Sequence, residues 1–510
     1  MPAIPSRSFP PQWGRSALLL TTLLVTGCVG PDFERPAAPD RQGFTAAPMP
    51  DATVSTDTPG GAAQHFVLGR DIPADWWRLF QSDRLDRLVR RALAANPNLQ
   101  AAEAALKAAH EATAAQRGDW FPSVTAGFSS NRTKNASSVS ATSTASSPLA
   151  NLHTAQLTMS YSPDVWGGVW RQVEDQEAQE EAQRFQLEAT ALTLTTNVVF
   201  AAINEAMLRG QVAAQREIIA SVRESLEIQR RMLALGQLAG ADIAAQEAGL
   251  AQAEAVLPPL EKQLAIQRDA LSALLGGWPD QPPEETFDLA TLHLPEEVPL
   301  SLPSRLVEQR PDIRQAEANL HAASAAIGVA LANRLPVINL TAGIGSISAL
   351  LTGSDTGYSP HKNGLFTSGT GFWSLAGGVS QPLFDGFALM HRHHAAEALY
   401  QQAEAQYRAT VIAAFQNVAD SLEALKSDAL AVRATAAAEK AADDSLAIVR
   451  HQLDLGSVAP LAVLNAQQTV QQARAARLQA VAARFADTAA LFQALGGGWW
   501  TGPPDENGSG

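Results

Sequence analysis

One stretch of this chain is written twice. Residues 225–277 and 445–497 align at a constant offset of 220 with no gap. Ser-Leu-x-Ile-x-Arg at 225–230 returns at 445–450. Leu233, Leu235 and Gly236 fall on Leu453, Leu455 and Gly456. Leu271, Leu275, Gly276 and Gly277 fall on Leu491, Leu495, Gly496 and Gly497. Ala/Gln-rich composition can mimic the middle of such a match, but not both ends in one register. The pattern therefore reads as an internal two-fold repeat. It reaches upstream as well: Asn96-Pro97-Asn98-Leu99-Gln100-Ala101-Ala102-Glu103 resembles Arg310-Pro311-Asp312-Ile313-Arg314-Gln315-Ala316-Glu317 at an offset of 214.

Each copy is rich in Ala, Leu, Gln, Glu and Arg, all good helix formers. Each is broken once, at Gly236 or Gly456, and then resumes. Gly after a helical run is a stop signal, so each copy predicts a helix, a tight break and a returning helix. The run before Gly236 starts near Gly168. At ~1.5 Å per residue it would be roughly 100 Å long, far beyond an ordinary globular helix. A plain coiled coil is the alternative to weigh.

Between the helices the period changes to two. Val124, Ala126 and Phe128 oppose Ser123, Thr125, Gly127 and Ser129. The same alternation holds over 156–162, 337–345 and 373–380, which predicts four strands. Pro122, Pro163, Pro336 and Pro382 punctuate the four strand–helix junctions. Ser/Thr/Gly-rich stretches 131–151 and 346–370 read as loops. One strand face is small and polar; the other is apolar, with Phe128, Tyr161, Trp166 and Trp373 near the ends. That is the pattern of a transmembrane barrel. A half-buried sheet in a soluble domain alternates too. But four strands cannot close a membrane barrel, and open edges are not tolerated in lipid. Transmembrane strands would require oligomerisation, and three copies would bring twelve strands.

The start of the chain reads as a targeting segment. Arg7 and Arg15 precede a short apolar run, Ala17 to Val25, which ends at Val25-Thr26-Gly27-Cys28. Cys28 is the only cysteine, so an intrachain disulfide is excluded. The stretch resembles a bacterial lipobox, which implies cleavage and acylation of Cys28; a chance free thiol in a secreted protein is the alternative. Val29 rather than Asp at the next position implies sorting to the outer membrane. Residues 37–65, rich in Pro, Ala, Thr and Gly, read as a linker. Net charge is −14 with no basic stripe, which argues against nucleic acid.

Taken together, Cys28-Val-Gly-Pro-Asp-Phe-Glu-Arg-Pro36, Trp77-Arg78-Leu79-Phe80 and Pro163-Asp164-Val165-Trp166-Gly167 carry a family resemblance. Arg310-Pro311-Asp312-Ile313, Gln381-Pro382-Leu383-Phe384-Asp385-Gly386 and Leu495-Gly496-Gly497-Gly498-Trp499 continue it. The chain resembles outer-membrane efflux factors of the TolC type, in their lipoprotein (NodT) branch. The resemblance implies a membrane α+β fold: a trimeric 12-stranded β-barrel, four strands per chain, continuous with a long periplasmic α-helical barrel. It implies a passive exit duct for drugs or other small toxic compounds. Its partners would be a periplasmic membrane-fusion adaptor, an inner-membrane efflux pump and the lipid bilayer. The chain would divide into a signal peptide (1–27), an acylated linker (28–75), a first repeat (76–280), an inter-repeat link (281–303), a second repeat (304–500) and a disordered tail (501–510). The hairpins would span 168–277 and 383–497.

Candidate sites follow. Leu233, Leu235, Gly236, Leu453, Leu455 and Gly456 are expected at the hairpin tips and available to an adaptor; they can instead close the hairpins internally. Past the second tip, Leu461, Asn465 and Gln468 share a helical face at i, i+4, i+7. The resemblance places this run at a periplasmic gate, where many relatives carry Leu-Asp-Ala-Gln-Arg. Asn465 and Gln468 are neutral, and the counterparts in the first repeat are Ala241, Ala245 and Ala248. A polar coiled-coil seam is the other reading. His391 and His394 lie at i, i+3 and can in principle meet a metal, but Arg392 stands between them; a solvated cluster is the better reading and no metal site is assigned. No nucleophile–His–acid grouping or phosphate-binding Gly loop occurs, so no catalysis and no cofactor are expected beyond the lipid on Cys28. A periplasmic coiled-coil adaptor or scaffold lipoprotein is the alternative function. It would share the hairpins but not four proline-bounded strands.

Overall fold

A computed structural model describes residues 29–41, 43–45, 48–134, 149–352 and 364–501. Cys28, the segment 1–27 and nearly all of the tail from 501 lie outside the described residues. The fold is mostly helical with some sheet. It divides into two compact units, the first of residues 1–34, 109–180 and 319–404, the second of 35–108, 181–318 and 405–510.

The first unit holds a four-stranded antiparallel sheet: β2 (Ser123–Lys134), β3 (Leu149–Tyr161), β5 (Val337–Thr352) and β6 (Gly371–Ser380), side by side in that order. The register lines up like with like. Ala126, Leu157, Ile344 and Trp373 form one cross-strand row, and Val124, Met159, Ala342 and Leu375 the next. Thr125, Thr158, Gly343 and Ser374 form a polar row between them. All four strands outrun the segments that alternation marks, reaching Lys134, Leu149, Thr352 and Gly371. A ladder is held by backbone groups and continues after the side-chain pattern stops.

Helices leave this sheet behind prolines. The junction after β6 is longer than expected. Helix α7 (Ala388–Asp454) starts five residues past 383, because Gly386 and Phe387 both take left-handed φ, 68° and 66°. Asp385 Oδ2 then accepts from the Leu389 amide at 2.8 Å and caps the first turn. Asp164 does the same for the Trp170 amide near the start of α3 (Gly168–Ala234), again 2.8 Å.

The helical elements come in matched pairs. Helices α3 and α7 have 67 residues each; α4 (Gly240–Leu274) and α8 (Pro460–Ala494) have 35 each. The shorter helices are α1 (Asp83–Ala95), α2 (Pro97–Arg117), α5 (Pro303–Gln309) and α6 (Pro311–Ala332). The pairs are not identical. α4 runs through Pro258 and Pro259, neither of which has an N–H to close the helical ladder.

In the second unit, buried Trp76, Phe80, Phe485 and Phe492 form an aromatic cluster with ring centroids 5.6 to 6.5 Å apart. A short parallel pair, β1 (His65–Leu68) with β4 (Glu297–Leu300), lies in the same unit. Part of the segment 37–65, read from composition as a linker, is held against the fold. Arg484 is fully buried and donates to Gly60 O (3.0 Å), Ala62 O (2.7 Å) and Thr53 Oγ1 (2.9 Å). Backbone carbonyls bind this segment, and composition does not reveal them. Burial pushes the Arg484 pKa down. Burial also pushes Asp428 up, to about 7, assisted by its hydrogen bond with Asp487 and opposed by Arg484.

Candidate conduit, hairpin tips and entrance

The apolar face of the sheet is exposed. Trp373 and Leu375 are 78% and 77% accessible, and Val124, Phe128, Ile344 and Val379 are exposed as well. Among the described residues β2 pairs only with β3, and β6 only with β5, so both outer edges lack partners within the chain. A wide exposed apolar band with two free edges suits lipid on one side and more strands at its margins.

The two tips share one backbone motif. Gly236 N donates to Leu233 O (2.9 Å) and Gln237 N to Met232 O (3.0 Å). Gly456 N donates to Leu453 O (2.8 Å) and Ser457 N to Gln452 O (2.9 Å). Both glycines are left-handed, φ 72° and 71°, as this helix stop requires. The leucines divide. Leu453 packs against the cluster of Ala442, Leu446, Val463 and Val470, so it closes its own hairpin. Leu235 and Leu455 are 74% and 69% accessible, and Leu233 is partly so.

Past the second tip, α8 turns Val463, Leu464 and Gln467 inward and leaves Leu461 and Asn465 exposed. Gln468 is half-buried, and its Nε2 donates to Gln252 Oε1 on α4 at 3.4 Å. Leu461 and Asn465 are thus both exposed, while Gln468 bridges two helices. Close approach of α4 to α8 explains the bridge: a Cβ on Gly249 would stand 2.6 Å from Leu464. Gln467, not singled out in the sequence, donates to Ser221 Oγ at 3.2 Å, and Arg450 donates to the same oxygen at 3.0 Å. Only the neighbouring helix α3 makes these residues notable. Asp242, the acid nearest the first tip, accepts from the Ala239 amide at 3.4 Å.

A further site gathers around the residues that follow Cys28. Val29 N donates to Trp166 O at 3.2 Å. Buried Arg171 donates to Val29 O (3.2 Å), Gly30 O (3.4 Å), Asp32 (2.8 Å) and Glu174 (2.7 Å). Glu174 meets His321 at 2.9 Å, and the His321 ring stacks on Phe33 at 4.4 Å. Burial opposes the charge on Arg171, but the bonds to Asp32 and Glu174 prevail and its pKa rises. Gly30 and Gly328 touch: a Cβ on Gly30 would lie 2.5 Å from the Gly328 Cα. Arg171 and Gly328 are far from residue 30 in sequence, and nothing local announces them.

The model for outer membrane efflux proteins matches twice, over residues 88–277 and 302–497. The chain belongs to the outer membrane efflux protein family. Outer membrane protein OprJ of Pseudomonas aeruginosa is 30% identical over 510 residues, 96% of each chain. The probable outer membrane lipoprotein SilC of Salmonella typhimurium is 28% identical, over 94% of this chain and 97% of that one. The open-state MtrE outer membrane channel of Neisseria gonorrhoeae superposes with a TM-score of 0.76 at 25% identity, covering 92% of this chain and 99% of MtrE. The chain is thus an outer-membrane efflux duct component with a periplasmic portion, in a family of channels rather than enzymes.

Proposed function

We propose that three copies of this chain close their four-stranded sheets into one twelve-stranded barrel, and that their helical hairpins line the duct on the periplasmic side. The carrying observation is the sheet itself. Its exposed apolar rows cross all four strands, and its two unpaired edges cannot rest in lipid until neighbouring copies cover them. The two-fold repeat belongs to this reading. It is supported by the double match to the family model and the matched 67- and 35-residue helices. The duct passively conducts drugs or other small toxic compounds handed on by an inner-membrane pump through a periplasmic adaptor. The adaptor meets the hairpin tips, chiefly at exposed Leu235 and Leu455. Leu461, Asn465 and Gln468 narrow the entrance. Cys28 carries a lipid that adds to membrane attachment without forming the channel. The divisions at residues 27, 75, 280, 303 and 500 stand as part of the same reading.

A coiled-coil adaptor lipoprotein has no use for an exposed apolar sheet. The test is electrophoretic. Outer-membrane fractions run without boiling should show a trimer that collapses to monomer on heating. Extraction as a monomer without detergent would refute the duct.

A further inference from the structure

The second and third turns of α7 bring His393, His394 and Glu397 together. One donor atom from each lies within 4.8 Å of the others, and His393 Nδ1 stands 3.9 Å from Glu397 Oε1. The sequence pairs His391 with His394. In the structure those rings meet edge to face with centroids 6.2 Å apart, and Glu397 is the residue that completes a three-donor group. Arg392 does not spoil it. One residue is about 100° of helical turn, and Arg392 lines a separate cleft with Gln172, Asp175 and Asn333. We propose that His393, His394 and Glu397 bind one divalent transition-metal ion of the zinc type on each chain.

The donor set argues for the class of ion. Two imidazoles and one carboxylate suit zinc, nickel or copper(II), whereas magnesium and calcium prefer all-oxygen shells. Metal–donor bonds of about 2.0–2.2 Å hold donors at most roughly 4.3 Å apart, so side-chain rotation closes the remaining gap. Three protein donors leave a coordination position to water, which makes the ion exchangeable. His393 and Glu397 are one turn apart, so the ion would also brace the helix where it starts, just after left-handed Gly386 and Phe387. None of this depends on the duct reading, because the three donors belong to one helix of one chain.

The test is equilibrium dialysis of the detergent-purified full chain against zinc chloride, read by elemental analysis. One zinc ion per chain is expected, undisturbed by a hundredfold excess of magnesium. Glu397→Gln, and the double variant His393→Ala with His394→Ala, should each weaken binding at least tenfold, while His391→Ala should change it less than twofold. Amide exchange over residues 388–400 should slow with zinc in the native chain and not in the double variant. Equal zinc uptake by the native chain and the double variant would overturn the proposal, as would displacement by magnesium. Circular dichroism of each variant, matching the native chain, keeps loss of binding separate from loss of fold.

Discussion

At the scale of single residues, two titratable side chains carry testable consequences, buried Arg171 and half-buried Asp428. Arg171 has a side chain only 4% accessible and holds the segment after Cys28 by two carbonyls and Asp32. Arg171→Met leaves those carbonyls without a donor and Glu174 without its closest cation. Losing such bonds costs at least about 1.4 kcal/mol, a factor of ten in local opening. Chymotrypsin should therefore cut after Phe33 at least tenfold faster in Arg171→Met than in the native protein. Equal cutting rates would show that the segment is held elsewhere. The second charge is Asp428, whose carboxyl burial raises from 3.8 to about 7, with Asp487 adding and Arg484 opposing. Between those values the folded chain keeps a proton that the unfolded chain has released. Stability from this group therefore falls as pH rises through 4 to 7 and levels off above. Asp428→Asn should abolish that part of the slope, so its melting temperature should gain on the native protein between pH 5 and 8. Parallel melting curves across that range would contradict the assignment.

At the scale of elements, the tips are where backbone geometry and docking can be separated. Gly236 and Gly456 are left-handed, and nothing lies within 4 Å of a Cβ placed on either. Aspartate tolerates that region better than most residues, at a cost of about 1–2 kcal/mol. Gly236→Asp combined with Gly456→Asp should thus leave trimers intact while placing two acids beside exposed Leu235 and Leu455. Drug export in cells should drop to the level of a strain without the duct. Full export by the double variant would remove the tips from the adaptor interface, returning the leucines to the internal role Leu453 already shows.

At the scale of the whole molecule, the proposed entrance would depend on what three chains of the proposed trimer place together. Three carboxylates at a narrow point would concentrate cations and hold divalent ions. Asn465, the residue proposed for that point, is neutral and exposed on α8, and Asp242 is engaged with the Ala239 amide at the start of α4. In planar bilayers the native duct should show little block by millimolar divalent cations, and Asn465→Asp should introduce it. Identical conductance and block in both proteins would place residue 465 away from the pore.

The sequence by itself determined what repeats and alternation can carry. Periodicities of 3.6 and 2 report which face of an element is apolar, so the paired helices, the four strands and the breaks at Gly236 and Gly456 were legible before any coordinates. Proline and glycine marked the junctions because they act through their own backbone. The tertiary structure alone decided which distant residues meet. Arg171 reaches residues 29–32, and Arg484 reaches Gly60 and Ala62. Strand ends at Lys134 and Thr352 and the parallel pair β1–β4 were hidden for a related reason. They rest on backbone carbonyls and amides, which every residue type except proline supplies alike, so no choice of side chain records the partner.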